Sequence, residues 1–374
     1  MELLAGQPLM WVAIGVVLFF DYTNGFHDAS DMTASVVGCG AMSPARAVLM
    51  ASFFTALGPL LGGTAVANAV GRVLDLTGLD ARLATMVILA GICGAIFWNL
   101  LTWWFGIPSS SSHALVGGLV GATLLAAGQG HVIWGLEALS SGRGLLGFAK
   151  VVAALVISPL VGFFVAMLSY WVLFRLLEGI KQRICRKRRA LWIREGRAFR
   201  AGDEIPNINK WLKRSQYLTI AVLSFAHGAN DAQKSMGVIA LLLLLNGQTG
   251  SFEVPYWVML SCSLVITLGT LSGGWRIVRT LAFRVSRLRP IHGLDAQLGA
   301  GLVVFGASLI GLPVSTTHVV SSSIMGVGAA ENLKRVKWIM ALRIVLTWVI
   351  TIPGSALIGG GVAWLLIHPI IQSP

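Results

Sequence analysis

Apolar residues run along this chain in long stretches separated by short polar clusters. The stretches at 11–20, 47–70, 83–105, 151–174, 217–245, 256–274 and 344–367 hold few charges. Most exceed the roughly 10 residues of a membrane barrel strand and approach or pass the ~20 of a spanning helix. The pattern therefore predicts helices that cross a bilayer. One long polar segment divides the chain into a first part at 1–174, a basic segment at 175–215 and a second part at 216–374. Polar groups also intrude where they are costly: GFHDASD, at 25–31, puts two aspartates and a histidine directly behind the first apolar run.

Composition sharpens the class. With 56% hydrophobic residues, 11% charged and a mean hydropathy of +0.79 over 374 residues, the chain carries more apolar surface than a soluble fold of that length buries. An all-α polytopic membrane protein is expected. Residues 1–10 carry no Lys or Arg, and the run behind them has no small-residue cleavage site, so the first span is expected to be retained. Cys39, Cys93, Cys185 and Cys262 lack CxxC spacing and are expected to be reduced packing residues.

The net charge of +13 would point a soluble protein toward nucleic acid, but 13 of the 28 basic residues fall within 175–214, with no aromatic–basic module around them. No nucleic-acid partner is expected; the partner is the bilayer. By the positive-inside rule the basic segment belongs in the cytoplasm, as do the arginines between 276 and 289. Neither the first ten residues nor the tail after Arg343 holds a Lys or Arg, which allows both termini to lie outside.

Three pairs of segments recur in the same order on the two sides of the basic segment. NGFHDASDMTA (24–34) aligns with HGANDAQKSMG (227–237), GGTAVAN (62–68) more weakly with LGTLSGG (268–274), and GIPSSSSH (106–113) with GLPVSTTH (311–318). Asp28 and His113 are 85 residues apart, and Asp231 and His318 are 87 apart. If each part crosses the bilayer an odd number of times, the second is inserted upside down relative to the first. Secondary transporters are built that way, with substrate near the midplane between the repeats.

A carboxylate at bilayer depth costs about 2.5–3.5 kcal/mol on insertion scales, so Asp28 and Asp231 must face a partner, a cavity or an ion path. One such Asp is as readily a helix cap or the structural partner of a neighbour such as Lys234; duplication favours a site. Gly25 and Gly228 weaken the helix beside each Asp and predict broken spans there. In the other motif pair a Gly-x-Pro stops an apolar stretch and hydroxyl residues open a small-residue helix. Pro and Ser or Thr are first-turn and cap residues. Each helix, at about 15 residues, is short for a span. It would offer an oxyanion free N–H groups, a positive dipole end, and the hydroxyls of Ser110, Ser111 and Ser112 or of Ser315, Thr316 and Thr317. His113 and His318 are expected to pack behind those tips more than to ligate. His27 stands where the second copy has Asn230; beside Asp28 it can change charge near neutral pH, as proton coupling requires. Hydrogen phosphate can donate its OH to a carboxylate and sulfate cannot, which favours phosphate, with Lys234 supplying compensating charge.

NGFHD, HGANDAQK, GTAVAN, GIPSSSSH and GLPVSTTH together resemble the PiT family of inorganic phosphate transporters over both parts of the chain, nearest its bacterial low-affinity, proton-coupled members. The resemblance implies two inverted-topology repeats with broken helices and two re-entrant hairpins, about 10 transmembrane helices in all. It also implies a homodimer in the inner or plasma membrane, no cofactor, and import of inorganic phosphate, or of a metal–phosphate complex, by cation symport, protons favoured over sodium. It maps substrate binding onto Asp28, Ser110, Ser111, Ser112, Asn230, Asp231, Gln233, Lys234, Ser315, Thr316 and Thr317. Cation coupling falls on Asn24, His27, Asp28, Asp31 and Asp231, and the metal ligands stay open. Asp31 departs from the family pattern, which has an amide there. Sulfate transport and sodium coupling are the alternatives. An intramembrane enzyme fits poorly, because no GxSxG or HExxH occurs and every candidate residue is duplicated. A passive anion channel is a further alternative, but an Asp beside an anion site argues for stoichiometric coupling over a passive pore. No Walker A sequence is present for coupling to ATP.

Overall fold

A computed structural model of the protein describes residues 7–136, 145–194, 208–285 and 288–371. Among these residues the chain is helical, and its one β contact is an isolated bridge between Leu74 and Val132. The first series of helices comprises α1 (Gln7–Gly38), α2 (Pro44–Leu61), the short α3 (Ala65–Gly71), α4 (Ala81–Trp104), α5 (Ser111–Ala126) and the long α6 (Gly147–Arg194). The second comprises α7 (Ile208–Leu245), α8 (Tyr256–Ser272), the short α9 (Trp275–Arg279), which runs on as a π turn at Thr280–Val285, α10 (Pro290–Leu309), α11 (Thr316–Glu331) and α12 (Trp338–Ile371). Local chemistry sets several starts. Pro44 occupies the first turn of α2, where its missing N–H is harmless, and the Asp80 carboxylate caps α4 by accepting from Arg82 N and Leu83 N at 3.0 and 3.2 Å.

By length and composition five of the described helices can cross a membrane: α1, α2, α4, α6 and α12. The pair α8–α9, bent by 54°, makes a sixth. Neither α7 nor α10 registers as apolar enough, because His227, Asn230, Asp231, Gln233 and Lys234 dilute the one and His292, Asp295 and Gln297 the other. For the same reason α10 leaves no apolar run in the sequence.

The expected breaks at Gly25 and Gly228 are not present: α1 and α7 run unbroken through both residues. The interruptions fall instead at Gly62–Thr64, between α2 and α3, and at Gly273–Gly274, between α8 and α9. Gly25 and Gly228 serve close crossing. A Cβ on Gly25 would strike the carbonyl oxygen of Ile266 in α8, and one on Gly228 that of Thr55 in α2. An intact helix keeps its backbone hydrogen bonds, so a glycine needed for approach does not have to break it.

Two apolar cores result. One gathers Phe20, Ile88, Leu115, Leu242 and Ile266, the other Met32, Ile220, Leu223, Val304 and Ile324. The middles of α1 and α7, from about Asp21 to Asp31 and from His227 to Asp231, lie between them and are polar. Large apolar side chains such as Leu61, Leu168, Ile339 and Leu357 cover the outside, as a lipid-facing surface requires. The basic segment is helical where it is described, α6 continuing to Arg194 and α7 starting at Ile208; residues 195–207 lie outside the described residues, as does the side chain of Cys185. Cys39, Cys93 and Cys262 are free thiols, as expected.

Candidate functional site

The polar faces of α1 and α7 meet the starts of α5 and α11. At both starts a glycine takes a left-handed turn, Gly106 at φ +64° and Gly311 at φ +65°, a conformation costly for any residue with a Cβ. The chain then enters a helix capped by its own serine: Ser110 Oγ accepts from His113 N at 3.1 Å and Ser315 Oγ from His318 N at 3.3 Å. The N–H groups of the first turns have no intrahelical acceptor. Both positive helix ends therefore point into the same buried space. Ser112 Oγ donates to Val314 O at 3.2 Å across the two tips.

Asp28, on α1, accepts at Oδ1 from Thr317 (3.1 Å) and at Oδ2 from Ser111 (3.2 Å), so one carboxylate holds hydroxyls from both tips. His27 Nδ1 lies 2.8 Å from Asp28 Oδ1. The other nitrogen of His27 meets Ser109 Oγ at 3.4 Å and Thr102 Oγ1 at 3.5 Å. Thr317 also donates to Asp31 Oδ2 at 2.8 Å. On α7, Asp231 Oδ1 accepts from Lys234 Nζ at 2.6 Å and from Thr316 Oγ1 at 3.3 Å. Lys234 Nζ reaches both tips, donating to Ser112 Oγ at 2.5 Å and to Val314 O at 2.8 Å. His227 Nδ1 is 3.4 Å from Asp231 Oδ2 and 3.4 Å from Thr316 Oγ1. Asp28, Asp31, Asp231 and Lys234 are all sealed from solvent, none more than 2% exposed.

The structure thus brings together Asp28, Asp31, His27, Asp231, Lys234, Ser111, Ser112, Thr316 and Thr317. It gives other candidates different work. Asn230 braces the approach to α11, donating to Ser308 Oγ and Leu312 O and accepting from Val314 N. Gln233 faces away from the tips. Its Oε1 accepts from Val66 N and Ala67 N at the start of α3, and its Nε2 donates to Gly62 O and Ala229 O, which leaves its amide no part in holding an anion. Ser110 and Ser315 are caps first. His113 and His318 stack on each other with ring centres 4.5 Å apart, and His318 stacks on Trp348 at 4.0 Å, so this pair is packing. Asn24 is buried on the face of α1 that carries Asp28, with no partner for its Oδ1.

Several site residues escaped the sequence reading. His227 aligns with Asn24 and lies one turn before Asp231, a signal that was available. Thr102 and Ser109 became visible only when α4 folded back on His27. The cluster can do two things chemically. Asp28, His227 and Asp231 offer ligand atoms within 4.8 Å of one another, a spacing one cation could bridge. The hydroxyls and free N–H groups of both tips, with Lys234, can hold an oxyanion whose own OH groups donate to the carboxylates.

The chain matches the model of the phosphate transporter family over residues 24–359. It is 40% identical over 353 residues to a probable low-affinity inorganic phosphate transporter of Rhizobium meliloti (strain 1021), covering 94% of each chain. To the protein of the same description from Bacillus subtilis (strain 168) it is 37% identical over 355 residues, covering 94% of this chain and 95% of that one. Against the low-affinity inorganic phosphate transporter PitB of Escherichia coli (strain K12) identity is 25% over 497 residues, with 96% and 97% covered. A solved structure described as the sodium-dependent phosphate transporter superposes with a TM-score of 0.76 over 96% of this chain and 99% of that one, at 24% identity, a likeness of fold.

Proposed function

The chain belongs to the phosphate transporter family, and from that premise we propose that it imports inorganic phosphate by symport with protons, through the cluster at the tips of α5 and α11. The observation that carries this reading is the convergence of two hydroxyl-lined helix starts on two buried carboxylates, Asp28 and Asp231, contributed by the two parts of the chain. A bare positive site would bind any oxyanion. Carboxylates within the same shell select an anion that carries its own hydrogen-bond donors, as hydrogen phosphate does.

The two series of helices are taken as inverted repeats. Packing supports this: α5 lies on α4 and α12 much as α11 lies on α10 and α6, and α1 crosses α8 as α7 crosses α2. In such a fold the halves rock about a fixed central site. The sealed cluster then corresponds to an occluded arrangement, and α5 and α11 act as re-entrant arms, each of 16 residues.

Protons are favoured over sodium because imidazoles sit at both carboxylates, His27 on Asp28 and His227 beside Asp231. Sodium is a hard cation that prefers oxygen ligands, while a carboxylate–imidazole set suits a proton or a divalent metal. The latter supports a metal–phosphate complex as cargo. The test is uptake of labelled phosphate and of labelled sulfate into proteoliposomes of the full chain, with proton and sodium gradients imposed separately. Phosphate should enter with an inward proton gradient alone, and sulfate should not enter. Uptake that needs sodium and ignores pH would replace the coupling ion; uptake of sulfate in place of phosphate would overturn the substrate.

A further inference from the structure

Outside the tip cluster, one buried acid on α1 has no role in the arrangement above. Asp21 is fully enclosed, with no measurable exposure. Its Oδ1 accepts from Ser235 Oγ of α7 at 2.9 Å, and its one other hydrogen-bonding neighbour among the described residues is the weak thiol donor Cys262 of α8, which leaves Oδ2 without an oxygen or nitrogen partner. Asp21, Asn24, Asp28 and Asp31 recur at spacings of three and four, so they share one face of α1. Asp21 lies seven residues, or about 10 Å along the axis, from Asp28 on the side of the helix start. In the orientation proposed from the basic residues, that is the outward side.

The charged neighbours of Asp21 can be named. From α7, Asp231 and Lys234 act on it through space, and from α8 the neutral Cys262 thiol adjoins it. Lys234 acts on Asp21 only through space, since its ammonium donates to Asp231, Ser112 and Val314 O. The titratable groups of α4 are Arg82, in its first turn, and Cys93. The remaining neighbours meet α1 nearer its other end: α9, which carries Arg276 and Arg279, starts against Phe26 and His27 with Arg276 lying over Trp103 and Trp104, α11 meets Asp28 and Asp31 through Thr317, α2 and α10 meet Met32, and the π turn meets Gly38. Among the described residues no cation hydrogen-bonds to the carboxylate, and an ionised acid in an apolar interior has to be neutralised or pay heavily for staying charged. The aligned position in the second part is Ser224, so this acid breaks the internal symmetry and no duplicate substrate contact explains it.

Resting on the proton-symport reading above, we infer that Asp21 is the outward proton-binding group of this transporter, a coupling residue distinct from the carboxylates that meet the anion. In the outward-open state its free Oδ2 takes a proton from external water, turning carboxylate into carboxylic acid. The neutral acid lets the outer halves of α1 and α7 close over the loaded site. When the site opens inward the same proton leaves to internal water, and the carboxylate draws on the Ser235 hydroxyl again. Ser235 follows Lys234 directly in α7, so the state of Asp21 is mechanically tied to the ammonium that bridges both tips.

The test uses the full chain in proteoliposomes with the membrane potential clamped. Each unit of imposed pH gradient should drive about tenfold accumulation of phosphate per coupled proton in the wild type. In Asp21→Asn that accumulation should be lost, while exchange of internal for external phosphate, which needs no net proton movement, continues within about twofold of wild type. Asp21→Glu, which keeps a titratable carboxyl, should restore gradient-driven accumulation. Ser235→Ala removes a donor to the ionised form, so the pH profile of uptake should move to higher pH. Wild-type accumulation in Asp21→Asn overturns the assignment. Loss of exchange together with accumulation also overturns it, since Asp21 would then be a structural or anion-binding group. Failure of the proton reading itself is separately recognisable: the wild type would ignore the pH gradient before any variant was made, and the assignment would fall with it.

Discussion

Asp28 and Asp231 occupy matched positions in unlike surroundings. Asp28 is held by a histidine and two hydroxyls, whereas Asp231 is half of a buried ion pair with Lys234. Asp28→Asn and Asp231→Asn should both abolish phosphate uptake, but only the second leaves an uncompensated buried ammonium, at a cost of about 3–5 kcal/mol. Asp231→Asn should therefore also unfold at clearly lower temperature in detergent; equal thermal stability of the two variants would contradict the ion pair. The hydroxyls divide in the same way. Ser111→Ala with Thr316→Ala removes one donor from each tip, each worth about 1.5–3 kcal/mol to a charged acceptor, so the apparent KM for phosphate should rise by at least tenfold. Ser110→Ala and Ser315→Ala remove caps and should cost about 1 kcal/mol of stability each. An unchanged KM in the Ser111/Thr316 double variant would place the anion elsewhere.

At the scale of elements, the two long polar helices are positioned by glycine contacts. Gly25 lets α1 cross α8 at backbone distance and Gly228 does the same for α7 and α2. An added methyl there overpacks the crossing, which typically costs about 1–3 kcal/mol. Gly15, on the same helix as Gly25, has open space around it, so Gly15→Ala should gain about 0.5–1 kcal/mol from helix propensity alone. Thermal unfolding in detergent should rank the variants Gly15→Ala above wild type and wild type above Gly25→Ala and Gly228→Ala. Gly25→Ala as stable as Gly15→Ala would mean that the crossing is looser than described. The starts of α5 and α11 depend on a different glycine property, the left-handed turns at Gly106 and Gly311, which aim both helix ends at one point.

Over the whole molecule, a polar belt through the middles of α1 and α7 is sandwiched between two apolar cores. Such a belt is costly in a membrane protein unless it faces a partner or an ion path. The C-terminal end of α11 is fastened by Glu331, which pairs with Arg289, with His292 at 2.9 Å and with Arg335 at 2.8 Å. By the positive-inside rule the thirteen basic residues between 175 and 214 are expected to lie in the cytoplasm. Single cysteines introduced between 190 and 210 should react with a membrane-impermeant maleimide only after the cytoplasmic face is opened, and cysteines at residue 2 or 373 should react from outside. Labelling of the 190–210 positions in intact cells would invert the whole arrangement.

Much of this was legible from residue order alone. Length and composition of the apolar runs pointed to an all-helical membrane protein, and the duplicated motifs pointed to Asp28, Asp231 and the hydroxyl tips, because repeated costly residues need a shared reason. The starts of α5 and α11 followed from where Gly-x-Pro stops one helix and a cap begins the next, and their length, expected at about 15 residues, is 16 in each. Other features waited for the tertiary structure. A glycine inside a helix can mark a break or a crossing, and only the backbone of a neighbouring helix decided that Gly25 and Gly228 are crossings. An amide can hold a substrate or a backbone, and only the position of α3 showed that Gln233 holds a backbone. Helix α10 stayed hidden because residues facing another helix need not be apolar, and what they face is a matter of packing. The setting of Asp21 is of the same kind: that no cation among the described residues hydrogen-bonds to this carboxylate depends on segments far apart in the chain, which only folding brings together.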